Sequence, residues 1–292
     1  MRKPDETLDD LRSEIDGIDD ALHDLLMRRA EVVRAIAKVK LARQPEGAGL
    51  AAAFRPAREA AILRRLLSRH DGTFPKRVLA RISREIIAAS LSVQSGFVLH
   101  VFATANQPQF VDLARGHFGS FTPVKTHTRP TLVVHACAEE PNSIGVLPLP
   151  NFEEGGPAWW AQLAPAGEKG PRVVAKLPFA VREEDEAAYA IGAIEQEPSG
   201  DDTTLLLLEI APTVSRTRLS LLLKRAGLEA KVVAAGRLTD KRVPDELLLE
   251  VSGFVGCSDP RLPALMEAAG PIIPRVTPIG GFANPLVLPE PA

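Results

Sequence analysis

Two cations, Arg29 and Lys40, interrupt the apolar stripe of a long predicted helix in the stretch LLMRRAEVVRAIAKVK, residues 25–40. At about 100° per residue they lie within roughly 20° of each other on the helix surface. Fixed positive charge on a packing face favours a small anionic ligand. Each residue also has a simpler interpretation, since Lys40 lies near a helix C-terminus, where cations suit the dipole. Arg29 can extend its guanidinium from the stripe towards water.

Further polar residues occur on the two helices predicted to follow. Arg58 and Glu59 open the second helix, and Ser90 and Gln94 are one turn apart on one face of the third. Buried guanidinium, carboxylate, hydroxyl and amide groups are costly unless they pair with each other or with a ligand. Together with the two cations, they favour a polar pocket between helices.

Residues 5–96 are predicted to be entirely helical, because apolar residues recur at a 3/4 spacing. The first helix covers roughly 35 residues, which is long for a globular domain and typical of a coiled-coil arm. Two shorter helices cannot cover its stripe, so we predict a dimer. Arg12 lies about 25 Å from Arg29 along the helix axis. An antiparallel partner helix would bring it to the same ligand, which fits the dimer.

Residues 97–200 have an α/β pattern, and residues 201–282 form a βαββαβ series. The first region is predicted to have strands at FVLHVFA, PTLVVHAC and SIGVLPL, with a helix at QPQFVDLARGHFG. In the second region, two helices crossing a four-stranded sheet indicate a ferredoxin-like arrangement. The Pro-rich tail FANPLVLPEPA is expected to fray.

Composition narrows the class of protein. The chain has 292 residues, 45% of them hydrophobic, and a net charge of −2, which argues against bulk nucleic-acid binding. No apolar run is long enough to cross a membrane, the start lacks an apolar signal core, and two cysteines make no disulfide framework. We expect a cytoplasmic protein. His127, His135 and Cys137 do not form a complete metal-ligand set.

The charges are unevenly distributed along the chain. Residues 1–96 contain 18 Lys and Arg against 14 Asp and Glu, whereas the rest of the chain is net acidic. This cationic excess favours a small anionic ligand in the first third. Chance variation explains the count equally well.

The first 96 residues resemble the all-helical chorismate mutases, in the form fused to prephenate dehydratase in phenylalanine biosynthesis. The segments LDDLRSEIDGID, LLMRRAEVVRAIAKVK, RPAREAAIL and REIIAASLSVQ carry this resemblance in the right order. It implies an intertwined homodimer that converts chorismate to prephenate, in the supply of phenylalanine and tyrosine, without a metal or cofactor.

The resemblance also implies roles for individual residues. Arg12 matches the arginine that the partner chain contributes, and Arg29 matches the own-chain arginine that binds a substrate carboxylate. Lys40 matches the lysine that donates a hydrogen bond to the ether oxygen, and Gln94 matches the residue that shares this oxygen.

Four further positions complete the pocket by the same resemblance. Arg58 and Ser90 match residues that line it, and Glu59 matches the residue directed towards the substrate hydroxyl. Arg55 departs from the pattern, since some relatives have an acidic residue there. Contact with the hydroxyl is therefore expected to depend more on Glu59 and the backbone.

The middle region resembles prephenate dehydratase in a degenerate form. SIGVLPLPNFEEGG is similar to that enzyme's VPIEN strand and turn, with Pro150 in place of the glutamate. The expected Thr-Arg-Phe triplet is replaced around Ala187, Ala188 and Tyr189, and the opening glycine-rich motif is absent from VFATANQPQF. About 100 residues are too few for the two-lobed enzyme. We therefore expect a single lobe without dehydratase activity.

Residues 201–282 resemble the regulatory ACT domain that follows the dehydratase, through DDTTLLLLEIAPTVSRTRLSLLLKRAGL. The loop APTVSRTR lacks the usual glycine-containing phenylalanine motif, and AAGRL replaces the relatives' ESRP. An amino-acid effector at this unit and a purely dimerising role both stay open.

The sequence thus predicts a multidomain chain. An all-α intertwined helical domain at residues 1–96 is followed by an α/β lobe at 97–200 and an α+β ferredoxin-like, ACT-like domain at 201–292 with a Pro-rich tail. The favoured function is chorismate mutase. The alternative is a non-catalytic regulatory or partner-binding protein that keeps this fold.

Overall fold

The first part of the chain is helical in a computed structural model that describes residues 7–42, 53–150, 158–164, 170–181, 186–211, 214–236 and 245–288. The helices are α1 (Leu8–Leu41), α2 (Pro56–Ser68) and α3 (Lys76–Gln94). A capping box opens α1, where Thr7 Oγ accepts a hydrogen bond from the backbone N–H of Asp10 at 3.3 Å. Pro56 lies in the first turn of α2, where its missing N–H costs nothing. The three predicted helices are confirmed.

The apolar stripe of α1 lies largely in solvent. Leu8 and Leu25 are 62% and 61% exposed, and the other stripe residues exposed by more than two-fifths include Ile15, Ile18, Leu22, Val32 and Ile36. Val33 is buried. The stripe therefore has the predicted spacing, and a single chain leaves most of it uncovered.

The rest of the chain is built around a nine-stranded sheet. In its first half, the strands are β1 (Val98–Phe102), β2 (Val124–His127), β3 (Ser143–Pro148), β4 (Arg172–Leu177) and β6 (Ala188–Gly192). The helices here are α4 (Gln109–Phe118) and α5 (Pro130–Glu139), and a 3₁₀ turn covers Trp159–Leu163. Both β2 and β3 pair with β1 in parallel, whereas β6 pairs with β3 and β4 antiparallel.

The second half has the predicted βαββαβ order. Its elements are β7 (Asp202–Ile210), α6 (Arg216–Arg225), β8 (Ala230–Gly236), β9 (Asp245–Ser252), α7 (Arg261–Ala269) and β10 (Arg275–Ala283). The strands lie in the order β10-β7-β9-β8 with antiparallel neighbours. Leu219 and Leu265 of the two helices pack with Leu206 of the sheet in one buried cluster. This is the expected ferredoxin-like arrangement.

The two halves of the sheet meet where β4 pairs in parallel with β10, at Val173 and Gly280. The full strand order is β2-β1-β3-β6-β4-β10-β7-β9-β8. The sequence pattern predicted separate units at residues 97–200 and 201–292. Both regions instead contribute strands to one sheet. Gly280 has φ +128°, and a Cβ there would lie 2.2 Å from the Val173 carbonyl oxygen.

The strand predicted at PTLVVHAC is wrong, because residues 130–139 form α5. Val133, Val134 and Cys137 are buried on one face of this helix, and His135 is exposed. His135 and Cys137 therefore do not share a strand face. Pro130 fits the first turn of a helix but cannot donate to a sheet ladder. The missing strand is the partly exposed edge strand β2, whose VKTH sequence has no apolar run.

The C-terminal tail was expected to fray, but up to residue 288 it pairs and packs with the rest of the chain. A short strand β11 (Leu286–Val287) pairs in parallel with β5 (Ala180–Val181). The Leu288 backbone N–H donates to the Val181 carbonyl at 3.0 Å, and the Leu288 side chain packs in a cluster with Leu67 of α2 and Ala80 of α3. Residues 289–292 lie outside the described residues. None of the helices described is long and apolar enough to cross a membrane.

Replacing Gly280 by alanine should destabilise the junction of the two half-sheets. The methyl group would collide with the Val173 backbone, and alanine disfavours positive φ. We expect a loss of about 3 kcal/mol or more in the free energy of unfolding, measured by urea denaturation. The matched control is Gly253→Ala, because Gly253 also has positive φ (+89°) but open space around its Cβ position. Equal losses in the two variants would contradict the proposed clash.

Candidate active site

Arg29 lies on the side of α1 that faces α3. Its Nη1 donates to the Ser90 hydroxyl and, at 3.3 Å, to the Ile86 carbonyl. The Ser90 hydroxyl donates to the same carbonyl at 2.6 Å. Partial burial lowers the pKa of Arg29 from its ordinary value, because desolvation disfavours the charged form. The structure thus brings two of the predicted residues into direct contact.

Gln94 extends this contact by one turn of α3. Its Nε2 donates to the Ser90 carbonyl at 3.1 Å, so the amide lies on the side of α3 that meets Arg29. Both Ser90 and Gln94 are half-buried. One end of the predicted site is therefore a guanidinium, a hydroxyl and an amide held between α1 and α3.

Lys40 marks the other end of the predicted site, three turns further along α1. Its pKa is lowered first by burial and then by the positive charges of Arg55 and Arg58 at the start of α2. Like charges are brought together at a cost in free energy, and an anion between them would offset it. The positive charges around Lys40 therefore favour an anionic group in this region.

Arg55, the residue that departs from the family pattern, is engaged by Glu197. The carboxylate accepts from the Arg55 Nε at 2.8 Å and from its Nη2 through both oxygens. Glu197 lies in the segment that leads into β7, 142 residues further along the chain. Sequence reasoning missed this partner, since no local pattern marks it. The bond draws Arg55 towards the α/β region.

Glu59 is not turned towards these cations in the described chain. Its carboxylate accepts from Arg84 Nη1 of α3 at 2.8 Å, and both side chains are largely buried. Burial raises the pKa of Glu59 to about 7, because desolvation outweighs the attraction of Arg84. Its surroundings include Val174, Lys176 and Phe179 of the α/β region. In this structure the Glu59 carboxylate is thus held in an ion pair with Arg84, and the contact with a substrate hydroxyl that the resemblance implies stays a prediction.

Arg12 lies apart from the other predicted residues. It is exposed near the start of α1 and forms an ion pair with Asp9 at 3.2 Å. Because α1 is a continuous helix, about 25 Å of axis separates Arg12 from Arg29. One chain thus brings Arg29 into contact with Ser90, one turn from Gln94, and places Lys40 where the charges of Arg55 and Arg58 lower its pKa.

Known proteins match the helical part of the chain that carries these residues. Residues 11–95 match the family model described as chorismate mutase type II. A bifunctional chorismate mutase/prephenate dehydratase from Stutzerimonas stutzeri is 30% identical over 146 residues, which is 50% of this chain and 39% of the relative. A second such protein, from Neisseria gonorrhoeae, is 37% identical over 93 residues, 30% of this chain and 24% of the relative. The chain thus spans two-fifths or less of the length of these relatives.

Among solved structures, a prephenate dehydratase from Streptococcus mutans superposes with a TM-score of 0.45 at 14% identity, covering 66% of this chain and 100% of that chain. GqqA, described as a novel type of quorum quenching acylase, superposes with a TM-score of 0.48 at 14% identity, covering 64% of this chain and 94% of that chain. The sequence matches alone confirm the resemblance to chorismate mutases fused to prephenate dehydratase, with residues 11–95 matching the type II chorismate mutase family.

Proposed function

We propose that this chain is a chorismate mutase that rearranges chorismate to prephenate. The main support is the surface where α1 meets α3, here called the groove, at which Arg29 of α1 donates to the Ser90 hydroxyl of α3. Lys40 lies three turns further along α1, and the positive charge of Arg58 lowers its pKa. These residues lie within the segment that matches the chorismate mutase model. A groove with cations at both ends suits a small dianion.

The reaction needs positioning and charge, and this groove offers both. The rearrangement is pericyclic, so the protein has to hold the substrate's side chain over its ring in the reactive geometry. It also has to stabilise negative charge that develops on the breaking ether oxygen. We assign Lys40 and Gln94 as the donors to this oxygen. Arg29 binds a carboxylate with its planar fork, and Ser90 and Arg58 complete the pocket.

We propose that the active unit is a homodimer in which Arg12 of one chain completes the site of the other. The uncovered stripe of α1 supports this, because a second α1 would bury its leucine and isoleucine side chains. Arg12 is too far from the groove of its own chain to contact a ligand there, because α1 keeps it about 25 Å from Arg29. The cytoplasmic location expected from the sequence stays a prediction.

We also propose that the middle region has lost dehydratase activity. Ala188 and Tyr189, at the position of the expected triplet, are buried in β6 between β3 and β4. The Tyr189 hydroxyl donates to Glu250 at 2.7 Å, so this side chain is used in the core. Side chains in the middle of a packed sheet are not available to a substrate.

For residues 201–292 we propose an ACT-like unit. The ferredoxin-like strand order supports it. The loops APTVSRTR and AAGRL include residues 212–213 and 237–238, which lie outside the described residues. Binding of an amino-acid effector therefore stays a prediction, and calorimetric titration with phenylalanine, tyrosine and tryptophan distinguishes it from a purely dimerising role.

Lys40→Ala should lower kcat by about 100- to 1,000-fold, because it removes one preorganised donor to the ether oxygen. Steady-state consumption of chorismate measures this. Lys38→Ala is the matched control, since Lys38 lies in the same last turn of α1 and is exposed. Near-normal turnover of a folded Lys40→Ala protein would contradict the assignment and favour a non-catalytic role for the fold.

Sharing of sites between chains is tested by mixing Arg12→Ala with Lys40→Ala, each of which we expect to have little activity alone. A mixed dimer has one site with both changes and one with neither. After unfolding and refolding the variants together, we expect activity to return to about a quarter of the wild-type value. If the mixture is no more active than its components, each site belongs to one chain.

Glu197→Gln should move the alkaline limb of the kcat/KM profile to lower pH by a few tenths of a unit. Loss of the carboxylate leaves the charge of Arg55 unbalanced beside Lys40, which further disfavours the charged form of Lys40 and so lowers its pKa. Glu195→Gln, a change at a neighbouring exposed acid, is the control. A profile identical to that of the control would mean that Glu197 does not influence the site.

Prephenate incubated with the pure protein should yield no phenylpyruvate above the spontaneous rate. Tyr189 and its neighbours are enclosed in the sheet, so no dehydratase site is expected. Mutase turnover by the same preparation shows that the protein is folded and active. Enzyme-dependent formation of phenylpyruvate, detected by absorbance in alkali, would overturn this part of the proposal.

A further inference from the structure

A cavity of about 380 Å³ lies between α3, α4 and the β4–β5 turn. Cavities of this size hold small metabolites in other proteins, where roughly 300–1,000 Å³ is typical. Arg81, which lines it, is nine residues before Ser90 on α3 and so points to the opposite side of that helix. The cavity is therefore separate from the groove between α1 and α3.

One wall of the cavity is cationic. Arg77, Arg81 and Arg84 line it from successive turns of α3. The guanidinium of Arg81 lies so close to α4 that a Cβ on Gly116 would be 2.9 Å from its Nη1. The nearest carboxylate in an ion pair with Arg81 is Glu85 at 3.6 Å, which is beyond hydrogen-bonding distance.

Arg84 has a donor that the described chain leaves unused. Its Nη1 binds Glu59, and its guanidinium stacks over the Phe179 ring at 5.3 Å. Its Nε is buried and has no acceptor among the described residues. The side chain is only 8% exposed, so water does not readily satisfy this N–H. A buried unsatisfied donor of this kind costs roughly 1–3 kcal/mol and indicates an acceptor that belongs there.

The remaining walls suit an apolar body. Leu63, Leu113 and Phe179 line the cavity beside the arginines. His117 is also in the lining, and burial, with the charge of Arg84 as a second cause, lowers its pKa well below the ordinary value. At neutral pH it therefore adds no charge. The cavity thus combines the guanidinium groups of α3 with an apolar surface. Two carboxylates, Asp112 and Glu186, also line it, and Glu186 accepts a hydrogen bond from Gln109 at 3.3 Å.

We propose that this cavity binds a small organic carboxylate, with the carboxylate on Arg81 and Arg84 and an apolar or aromatic body against Leu113 and Phe179. Guanidinium forks bind carboxylates through two parallel hydrogen bonds, and the unused Nε of Arg84 supplies a further donor. This proposal depends neither on chorismate mutase activity nor on the dimer.

Calorimetric titration of the full chain with 3-phenylpropionate tests the proposal, with the uncharged 3-phenylpropionamide as the matched ligand. We expect saturable binding of the acid and at least about tenfold weaker binding of the amide. Arg81→Gln and Gly116→Ala should each weaken binding of the acid about tenfold, the first by removing charge and the second by displacing the guanidinium. Arg81 is half-exposed, so its replacement should leave the fold intact.

Two controls locate the bound acid. Arg115→Gln, on α4 but outside the cavity lining, should leave the affinity unchanged. Lys40→Ala should do the same, because the groove on the other side of α3 is not involved. The proposal is overturned if the acid does not bind at millimolar concentration, if the amide binds equally well, or if Lys40→Ala abolishes binding while Arg81→Gln does not.

Discussion

The buried ion pair between Glu59 and Arg84 constrains how α2 packs on α3, and the groove and the cavity both depend on these helices. The charged atoms are 2.8 Å apart, and the two side chains are 12% and 8% exposed. Moving two charges out of water is costly, and close geometry is needed to offset the cost. Removal of one partner would leave a buried charge unpaired, at about 3–5 kcal/mol. The pair thus permits little variation in the arrangement of the helices.

The two faces of α3 have different tasks because of helical geometry. Ser90, which contacts Arg29 of α1, and Gln94, four residues further on, lie on one side, whereas Arg81 and Arg84 lie towards α4 and the sheet. A single helix can therefore serve a groove on one side and a cavity on the other. A displacement of α3 would therefore change both the groove and the cavity.

The α/β region holds the helical region in place through several long-range contacts. Glu197 binds Arg55, and Arg64 of α2 donates to the carbonyls of Asp201 and Asn284 at 2.8 and 3.2 Å. The β5–β11 pair then brings Leu288 against α2 and α3. These contacts give the middle region a structural role that does not require dehydratase chemistry. They also place an acidic residue from the α/β region beside the cations at the start of α2.

The sequence by itself determined the features that depend on neighbours along the chain. Periodicity predicted α1, α2 and α3, and the alternation of strand and helix predicted the ferredoxin-like unit. The family resemblance assigned Arg29 and Ser90 to one pocket, and the structure brings these two side chains into direct contact. Only the tertiary structure decided that residues 130–139 form a helix, since burial of one face against β1 and β3 outweighs their β-branched composition. The same holds for the Glu59–Arg84 pair and the Arg55–Glu197 bond, whose energies depend on burial and on partners distant in sequence.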